Sequence, residues 1–532
     1  MQEYPRTALK DMLTSVAASP DLTRALQSPV IDAGVLDVMR PALVRFLELG
    51  IDLAARTCTE GGIPVGSAEK LLETDGREAL RLLLQGLADL AAASEERRPG
   101  GVLGSDGVDR THVEIDHSRF VATVFGKITV RRMAYRAPGA GNLHPLDEVL
   151  SLPAGLYSQG LGERSCREAA RGSFAGAGQA VERGTGVRIG TRQLIGLVRD
   201  GARDGEAFYR DRVPPRAPQK VLVLTADGKG IVVRSEALRP ATAKAAKKTP
   251  ASGGNRKRMA EVVCVHDLSP APRTVDDIIP PTSDNTDDNV RRVRAKAPVA
   301  TSKWLSASII EDIPAVIKAG FDEAERRDPD HERTWIALVD GNLTQIEAIT
   351  AEATARQVTV TILIDYLHVS GYVWDAAKAF FHTETTAGMA LAGTWVADRN
   401  RLILQGKAIE VAARITARIR DSKLTAAQRK SANSAVSYLI NKAPYLDYPT
   451  ALASGWPIAT GVIEGACRHV VADRMDITGS RWGLETAQAV LTLRAIMASG
   501  DFDAYWAYHV RQEHLRNHSG IAHHQHDHAL AA

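Results

Sequence analysis

Cysteine is scarce in these 532 residues: Cys58, Cys166, Cys264 and Cys467 lie far apart, and no two form a Cys-x-x-Cys pair. That excludes a disulfide framework and the usual zinc-site spacings. Aromatic residues are also few, at 5%. No apolar run approaches the roughly 20 residues of a membrane-spanning helix, and the opening Met-Gln-Glu-Tyr-Pro-Arg has no apolar stretch of the secretory kind. The expectation is a cytoplasmic protein without a membrane partner. A large excess of one charge is missing too, the formal net charge being only +3, so affinity for a polyanion has to come from local clusters.

What is present is the composition of a folded protein, 44% hydrophobic and 24% charged. The length suits several domains, on the order of three to five. Positive charge gathers twice. One cluster runs through residues 239–258 with Lys244, Lys247, Lys248, Arg256, Lys257 and Arg258; the other is Arg291, Arg292, Arg294 and Lys296. Both lie in Ala/Pro/Ser/Gly/Asn-rich sequence that reads as loop. The first is the better candidate for contacting DNA phosphates, against the plain alternative of solvation. The histidine tract His523–His528 is a terminal feature with no role assigned.

Residues 1–97 are rich in Leu and Ala at helical spacing and carry no chemical motif. After glycines around 98–107, alternation at 121–125 and 128–133 about Gly126 predicts a small β-hairpin within 105–140. Helical pattern returns over 141–215. There a helix, a Gly-containing turn and a second helix opening with Thr191, Arg192 and Gln193 resemble a helix-turn-helix, with Arg192 and Gln193 where a recognition helix reads DNA. An ordinary helical hairpin is the alternative.

The region 216–365 predicts an α/β catalytic domain. Strands are expected at 221–226, at 231–234 as its hairpin partner, and at 259–266; a helix at 305–326, a strand at 334–339, a helix at 344–355 and a strand at 358–364 follow. Hairpin-linked strands followed by alternating helices and strands give a five-stranded mixed sheet with helices on both faces. Residues 366–455 are helical and read as an insertion. The helix carrying Glu464 then returns to the catalytic domain over 456–500, and 501–532 reads as a C-terminal tail.

Three acids carry the chemistry. Asp227 follows an apolar strand and precedes Gly-Lys-Gly, Asp340 follows another and precedes Gly341, and Glu464 stands in Gly-Val-Ile-Glu-Gly-Ala-Cys-Arg-His. Carboxylates at adjacent strand ends, with one more on a helix, supply the hard oxygen ligands of a two-Mg²⁺ phosphodiester site, in which Mn²⁺ can substitute. Each has a plain alternative: Asp-Gly is a turn pair, and Glu464 can pair with Arg468 at i, i+4. Asp365 also ends an apolar strand and competes with Asp340, or else caps a helix. Strand order favours Asp340, because 334–339 as the fourth strand lies beside the first and Asp365 falls one strand further out, near 10 Å from Asp227. Asp365 then braces the site with His368. Lys229 and Arg468 are candidate phosphate holders, and Trp482 reads as core.

The chain resembles an acidic-triad (DDE-type) transposase of bacterial insertion sequences, most similar to the Kra-type group. The resemblance spans about 125–508 and rests on ordered motifs: Phe125-Gly126 with Tyr135, Leu152-Pro153 with Tyr157-Ser158, Asp227-Gly-Lys-Gly, Asp340-Gly341, Asp365-Tyr-Leu-His368, Gly461-Val-Ile-Glu464, and Arg474 with Gly479-Ser-Arg-Trp482. It implies an RNase H-like catalytic domain and Mg²⁺ dependence. It also implies cutting and joining of double-stranded DNA at the element's ends and at a target, by a homo-oligomer on DNA. Asp227, Asp340 and Glu464 match the triad; Asp365 and His368 match a companion Asp-x-x-His motif. Paired cysteines near 137–142, found in some relatives, are missing, so a zinc role there has no support. The alternatives are a nuclease of the same fold that cuts without joining, and a DNA-binding regulator descended from a transposase.

Overall fold

The structure, a computed structural model, describes residues 33–59, 62–214, 217–248, 257–280, 294–477 and 479–521. Residues 1–32, Arg256, Arg291, Arg292 and His523–His528 lie outside the described residues. The chain divides into two compact units, one of residues up to 201 with those from 506 onward, the other Ala202–Tyr505. Among the described residues no helix is long and apolar enough to cross a membrane.

In the first unit, the helices Ala33–Thr59 and Val65–Ala93 pack on each other. A short pair, β1 (Val102–Leu103) and β2 (Asp109–Arg110), leads into the antiparallel hairpin β3 (His112–Thr123) and β4 (Gly126–Arg136). The hairpin is longer than its alternating tip suggests. Its outer part holds His112 to Arg119, mostly polar and partly exposed, and so hides from a hydrophobic pattern. Ala88 packs with Val121, Ile128 and Val130, which seats the second helix on β4. The helices Gln159–Arg171, Phe174–Thr185 and Thr191–Ala202 follow, and Gly186 at φ 72° ends the second of these. The stretch read as a tail contains instead the helix Phe502–His518.

The second unit is built on a five-stranded mixed sheet, β5 (Val221–Val232), β6 (Lys257–Leu268), β7 (Ala300–Ser308), β8 (Thr334–Val339) and β9 (Val360–Ile364). The order is β7-β6-β5-β8-β9. β6 is antiparallel to β5 and β7, while β8 runs parallel to β5 and β9 parallel to β8. Continuous burial of Val221 to Ala226, of Ala260 to Leu268 and of Trp335 to Val339 identifies the central strands. Each fully buried Val, Leu or Ile contributes ~1.5–3 kcal/mol.

Three sequence expectations need correction here. Residues 231–234 are not the partner of 221–226: β5 runs unbroken through Asp227-Gly-Lys-Gly to Val232, and its antiparallel partner is β6. Extended glycines allow this because β6 side chains lie across them; a Cβ on Gly228 would meet Met259 at 2.9 Å and Glu261 at 3.0 Å. Second, the expected helix 305–326 begins late. Residues 300–308 form β7, and the helix is Ile313–Arg327, opened by Pro314 and capped by Asp312. Third, Lys257 and Arg258 stand in β6 rather than in a loop, and Lys244, Lys247 and Lys248 belong to the helix Pro240–Lys248.

The stretch 366–455 is helical as expected, with the helices Tyr366–Phe380, Thr386–Leu404, Ala408–Asp421, Ala426–Lys442 and Tyr448–Ala453. The chain then returns to β5 and β6 with the helix Gly461–Ala466.

Candidate functional site

Strand register collects the aspartates. Thr225 pairs with Leu338 across β5 and β8, and Leu338 pairs with Leu363 across β8 and β9. Asp227, Asp340 and Asp365 each stand two residues further along, so they form one row. Because side chains alternate, that spacing directs all three to the face shared by Thr225, Leu338 and Leu363. The amide of Asp365 still donates to the Val339 carbonyl at 2.8 Å, which shows the ladder reaching that level. Neighbouring strands lie about 4.8 Å apart, so Asp340 is next to Asp227 and Asp365 about twice as far from it.

Each carboxylate is fixed locally. Asp227 accepts from the Gly228 amide at 2.7 Å and Asp340 from the Asn342 amide at 2.8 Å. Asp365, 2% exposed, accepts from the Leu367 amide at 2.9 Å and so caps the helix Tyr366–Phe380. Turn and cap chemistry, the plain alternatives from sequence, are thus present at Asp340 and Asp365 and occupy one oxygen of each. Gly341 is required beside Asp340. Its φ is +95°, and a Cβ there would meet the Tyr438 hydroxyl at 2.7 Å.

Glu464 joins the row through Thr460. The buried Thr460 hydroxyl lies 2.7 Å from Asp365 Oδ2 and 3.2 Å from Glu464 Oε1. A hydroxyl carries one hydrogen and donates to one carboxylate at a time, and the shorter contact is to Asp365. The alternative pairing of Glu464 with Arg468 does not form, since Arg468 lies instead 3.9 Å from Asp473. Beyond Ala466 the backbone continues as a π-helical turn, Cys467–Ala472, which packs on β5. π-Turns recur at functional sites because they re-aim side chains. Here Cys467 meets Asp227: burial first, then the charge of Asp227 and the hydrogen bond to it, push the thiol far up. Opposite Gly228, Glu261 is 9% exposed. Its carboxyl is raised by burial and then by the charges of Asp227 and Asp340, with Arg239 opposing.

Thr460, Cys467, Glu261 and Tyr438 were not found by sequence reasoning. Tyr438 donates its hydroxyl to the Asp340 carbonyl at 3.1 Å, and burial, then Tyr372, Asp340 and Asp365, push that hydroxyl up. Only Cys467, three residues after Glu464, carried a local signal. His368 is exposed and its ring lies against Tyr372 and Tyr438, at 5.7 and 6.1 Å between centroids, rather than on a carboxylate. Bracing of the row therefore falls to Asp365 and Thr460.

The expected DNA-contacting residues are spread. Arg192 and Gln193 are exposed in the first turn of the helix Thr191–Ala202, and Gln193 Oε1 accepts from the Gly190 amide at 3.2 Å. Lys229, Lys244 and Lys257 are exposed. Arg258 is not free in the same sense: its guanidinium donates to the carbonyls of Ile309 (2.7 Å), Ala237 (3.2 Å) and Ile310 (3.3 Å). Trp482 is core, 5% exposed, with its indole N–H on the Met475 carbonyl at 2.9 Å and Arg474 over its ring at 4.7 Å.

Compared with models of protein families and with curated proteins, the chain matches none.

Proposed function

We propose that the protein is a DNA transposase that binds the ends of its own mobile element and cuts and joins DNA by metal-dependent phosphodiester chemistry, with Asp227, Asp340 and Glu464 as the metal ligands. One observation carries this reading: Asp227 in β5 and Asp340 and Asp365 just past the ends of β8 and β9 continue one register row, with Glu464 3.2 Å from the Thr460 hydroxyl that bonds Asp365. An RNase H-like catalytic domain belongs to the same proposal. It is supported by the order β7-β6-β5-β8-β9 with β6 alone reversed.

The donors suit Mg²⁺ by their chemistry, while among the described residues the three carboxylates do not gather closely enough to share one ion. Carboxylate oxygens are the hard ligands it prefers, and among the described residues none of the three acids is in an ion pair. Two Mg²⁺ ions, or Mn²⁺ in their place, would be held by Asp227, Asp340 and Glu464; when bound, they activate a water or DNA 3′-hydroxyl and stabilise the leaving oxygen. The chain's own groups do the positioning. Gly228 N–H orients Asp227, Asn342 N–H orients Asp340, and Thr460 donates to Asp365 with Glu464 3.2 Å from the same hydroxyl. A row of acids repels phosphates, so contact with the DNA backbone is assigned to cations such as Lys229, Lys244 and Lys257, and base reading to Arg192 and Gln193. Pairing two element ends calls for a homo-oligomer on DNA.

A strand-transfer assay on labelled element ends with Mg²⁺ tests the proposal. Joined product is the expected outcome. Cut product alone would make the protein a nuclease, and binding without cutting would leave a DNA-binding regulator.

A further inference from the structure

The helices Tyr366–Phe380 and Ala426–Lys442 pack together and leave beside them an open groove of about 680 Å³, whose lining includes Tyr372, Arg429, Lys430, Asn433, Ser437 and Tyr438. Residues 429, 433 and 437, with 430, 434 and 438, are two adjacent i, i+4 stripes of one helix face. On its wall the rings of Tyr372 and Tyr438 are stacked, 3.8 Å between centroids and 15° between planes, with His368 against both. Arg429 and Lys430 are exposed, and neither forms an ion pair among the described residues.

Flat aromatic rings, two unneutralised cations and a row of amide and hydroxyl groups form a combination that suits one kind of ligand. Cations attract a polyanion. A base stacks on an aromatic face whatever its sequence, while bases inside a duplex are already stacked on one another and offer only their edges. The occupant is therefore an unpaired nucleotide rather than a duplex segment. Position strengthens the argument, because the hydroxyl of Tyr438, a groove residue, bonds the backbone carbonyl of Asp340 at 3.1 Å. We propose that this groove seats an unpaired nucleotide of a DNA strand, its base on the Tyr372 ring and its phosphates on Arg429 and Lys430. That the strand is the one being cut rests on the reading of the acid row as a cutting site.

The test uses the full chain in metal-free buffer with EDTA, so that cutting plays no part. The probe is a short single-stranded oligonucleotide carrying 2-aminopurine, with a fully paired duplex of the same sequence as control, read by anisotropy and by fluorescence quenching. Wild-type protein is expected to bind the single strand and quench it. Tyr372→Leu should weaken binding by about tenfold and remove the quenching, while Tyr372→Phe keeps both. Because Tyr372 also packs on Tyr438, the exposed pair Arg429→Ala and Lys430→Ala provides a second arm that does not disturb the ring stack. It should flatten the dependence of log affinity on log salt by about 1.4, or ~0.7 for each phosphate contact on a single strand. Unchanged affinity and quenching in Tyr372→Leu, or an unchanged salt slope in the double variant, overturns the groove. Equal quenching of the paired duplex overturns it as well. Should the single strand bind through Tyr372 and Arg429 while wild-type protein with Mg²⁺ cuts nothing, the groove stands and the cutting reading falls. Cutting that is indifferent to every groove variant, with no single-strand binding, gives the reverse.

Discussion

Where β5 and β8 begin, the acid Asp267 is 2% exposed and takes a hydrogen bond from Arg333 at 2.7 Å, with Arg327 at 3.5 Å. Glu323 nearby is held by Arg326 and Arg327, and Asp328 accepts from the Trp335 indole at 2.7 Å. At the opposite end of the same sheet, Asp227, Asp340, Asp365 and Glu464 form no ion pair among the described residues. Their oxygens meet amides and one threonine hydroxyl instead. Arginine holds Asp267 and Glu323 at one end, whereas none of the four acids at the other end is in an ion pair among the described residues. Burying a charge without a partner is costly, but of these four only Asp365 is buried; Asp227 and Asp340 are half-buried and Glu464 is exposed, so water serves them. On the proposed reading the acid end takes its cation from outside the chain, and the arginine end is scaffold.

The largest effect should come from removing a carboxylate of the acid end. Asp227→Asn, Asp340→Asn or Glu464→Gln is expected to lower Mg²⁺-dependent cleavage by on the order of 10³-fold, the scale of losing one charge-stabilising group from a catalytic site. End binding, measured by gel shift, should be retained and the melting temperature not lowered, because each change relieves like-charge repulsion. Asp365→Asn is expected to lose less, roughly 10- to 100-fold, as befits a group acting through Thr460 and Glu464. If Asp365→Asn proved dead and folded while Asp340→Asn still cut, the two aspartates would exchange roles.

Breaking the other end should cost stability and spare chemistry. Arg333→Met leaves Asp267 buried with only the longer contact to Arg327, and loss of one partner from a buried pair costs ~3–5 kcal/mol. Urea unfolding reads that loss, and cleavage at low temperature should persist. A variant as stable as wild type would mean that Asp267 is adequately held by Arg327 and the backbone, which would blunt the contrast between the ends.

Much of this architecture was legible because apolar runs mark buried strands. Residues 221–226, 334–339 and 358–364 read correctly as strands, and placing 334–339 beside the first put Asp340 next to Asp227. β7 was not legible: Ala-Thr-Ser-Lys-Trp-Leu-Ser-Ala-Ser alternates weakly and runs into Ile309 and Ile310, which mimic the start of a helix. Nor was the continuation of β5, since Asp-Gly-Lys-Gly has turn composition and is extended only because Met259 and Glu261 cover its glycines. The supporting residues were out of reach for a different reason. Thr460 meets Asp365 across 95 residues and Tyr438 meets Asp340 across 98, separations over which one sequence carries no local signal.

The smallest effect probes the strain that uncompensated charge leaves in the acid end. Burial, then Asp227 and Asp340, raise the Glu261 carboxyl above its ordinary value of 4.5. An acid raised in this way binds more protons folded than unfolded between the two values, so its contribution to stability falls as pH rises through the folded pKa. At neutral pH Glu261 is then a net cost to folding. Glu261→Gln should match wild type below about pH 4 and exceed it at pH 7, by ~1.4 kcal/mol for each unit by which the pKa was raised. Urea unfolding at the two pH values measures the difference. Adding Mg²⁺ should shrink it, because a cation held by Asp227 and Asp340 offsets the charge that Glu261 feels. A Gln variant less stable than wild type at pH 7 would mean that Arg239 outweighs the two aspartates. In that case the acid end is compensated after all, and its contrast with the arginine end is one of distance rather than of kind.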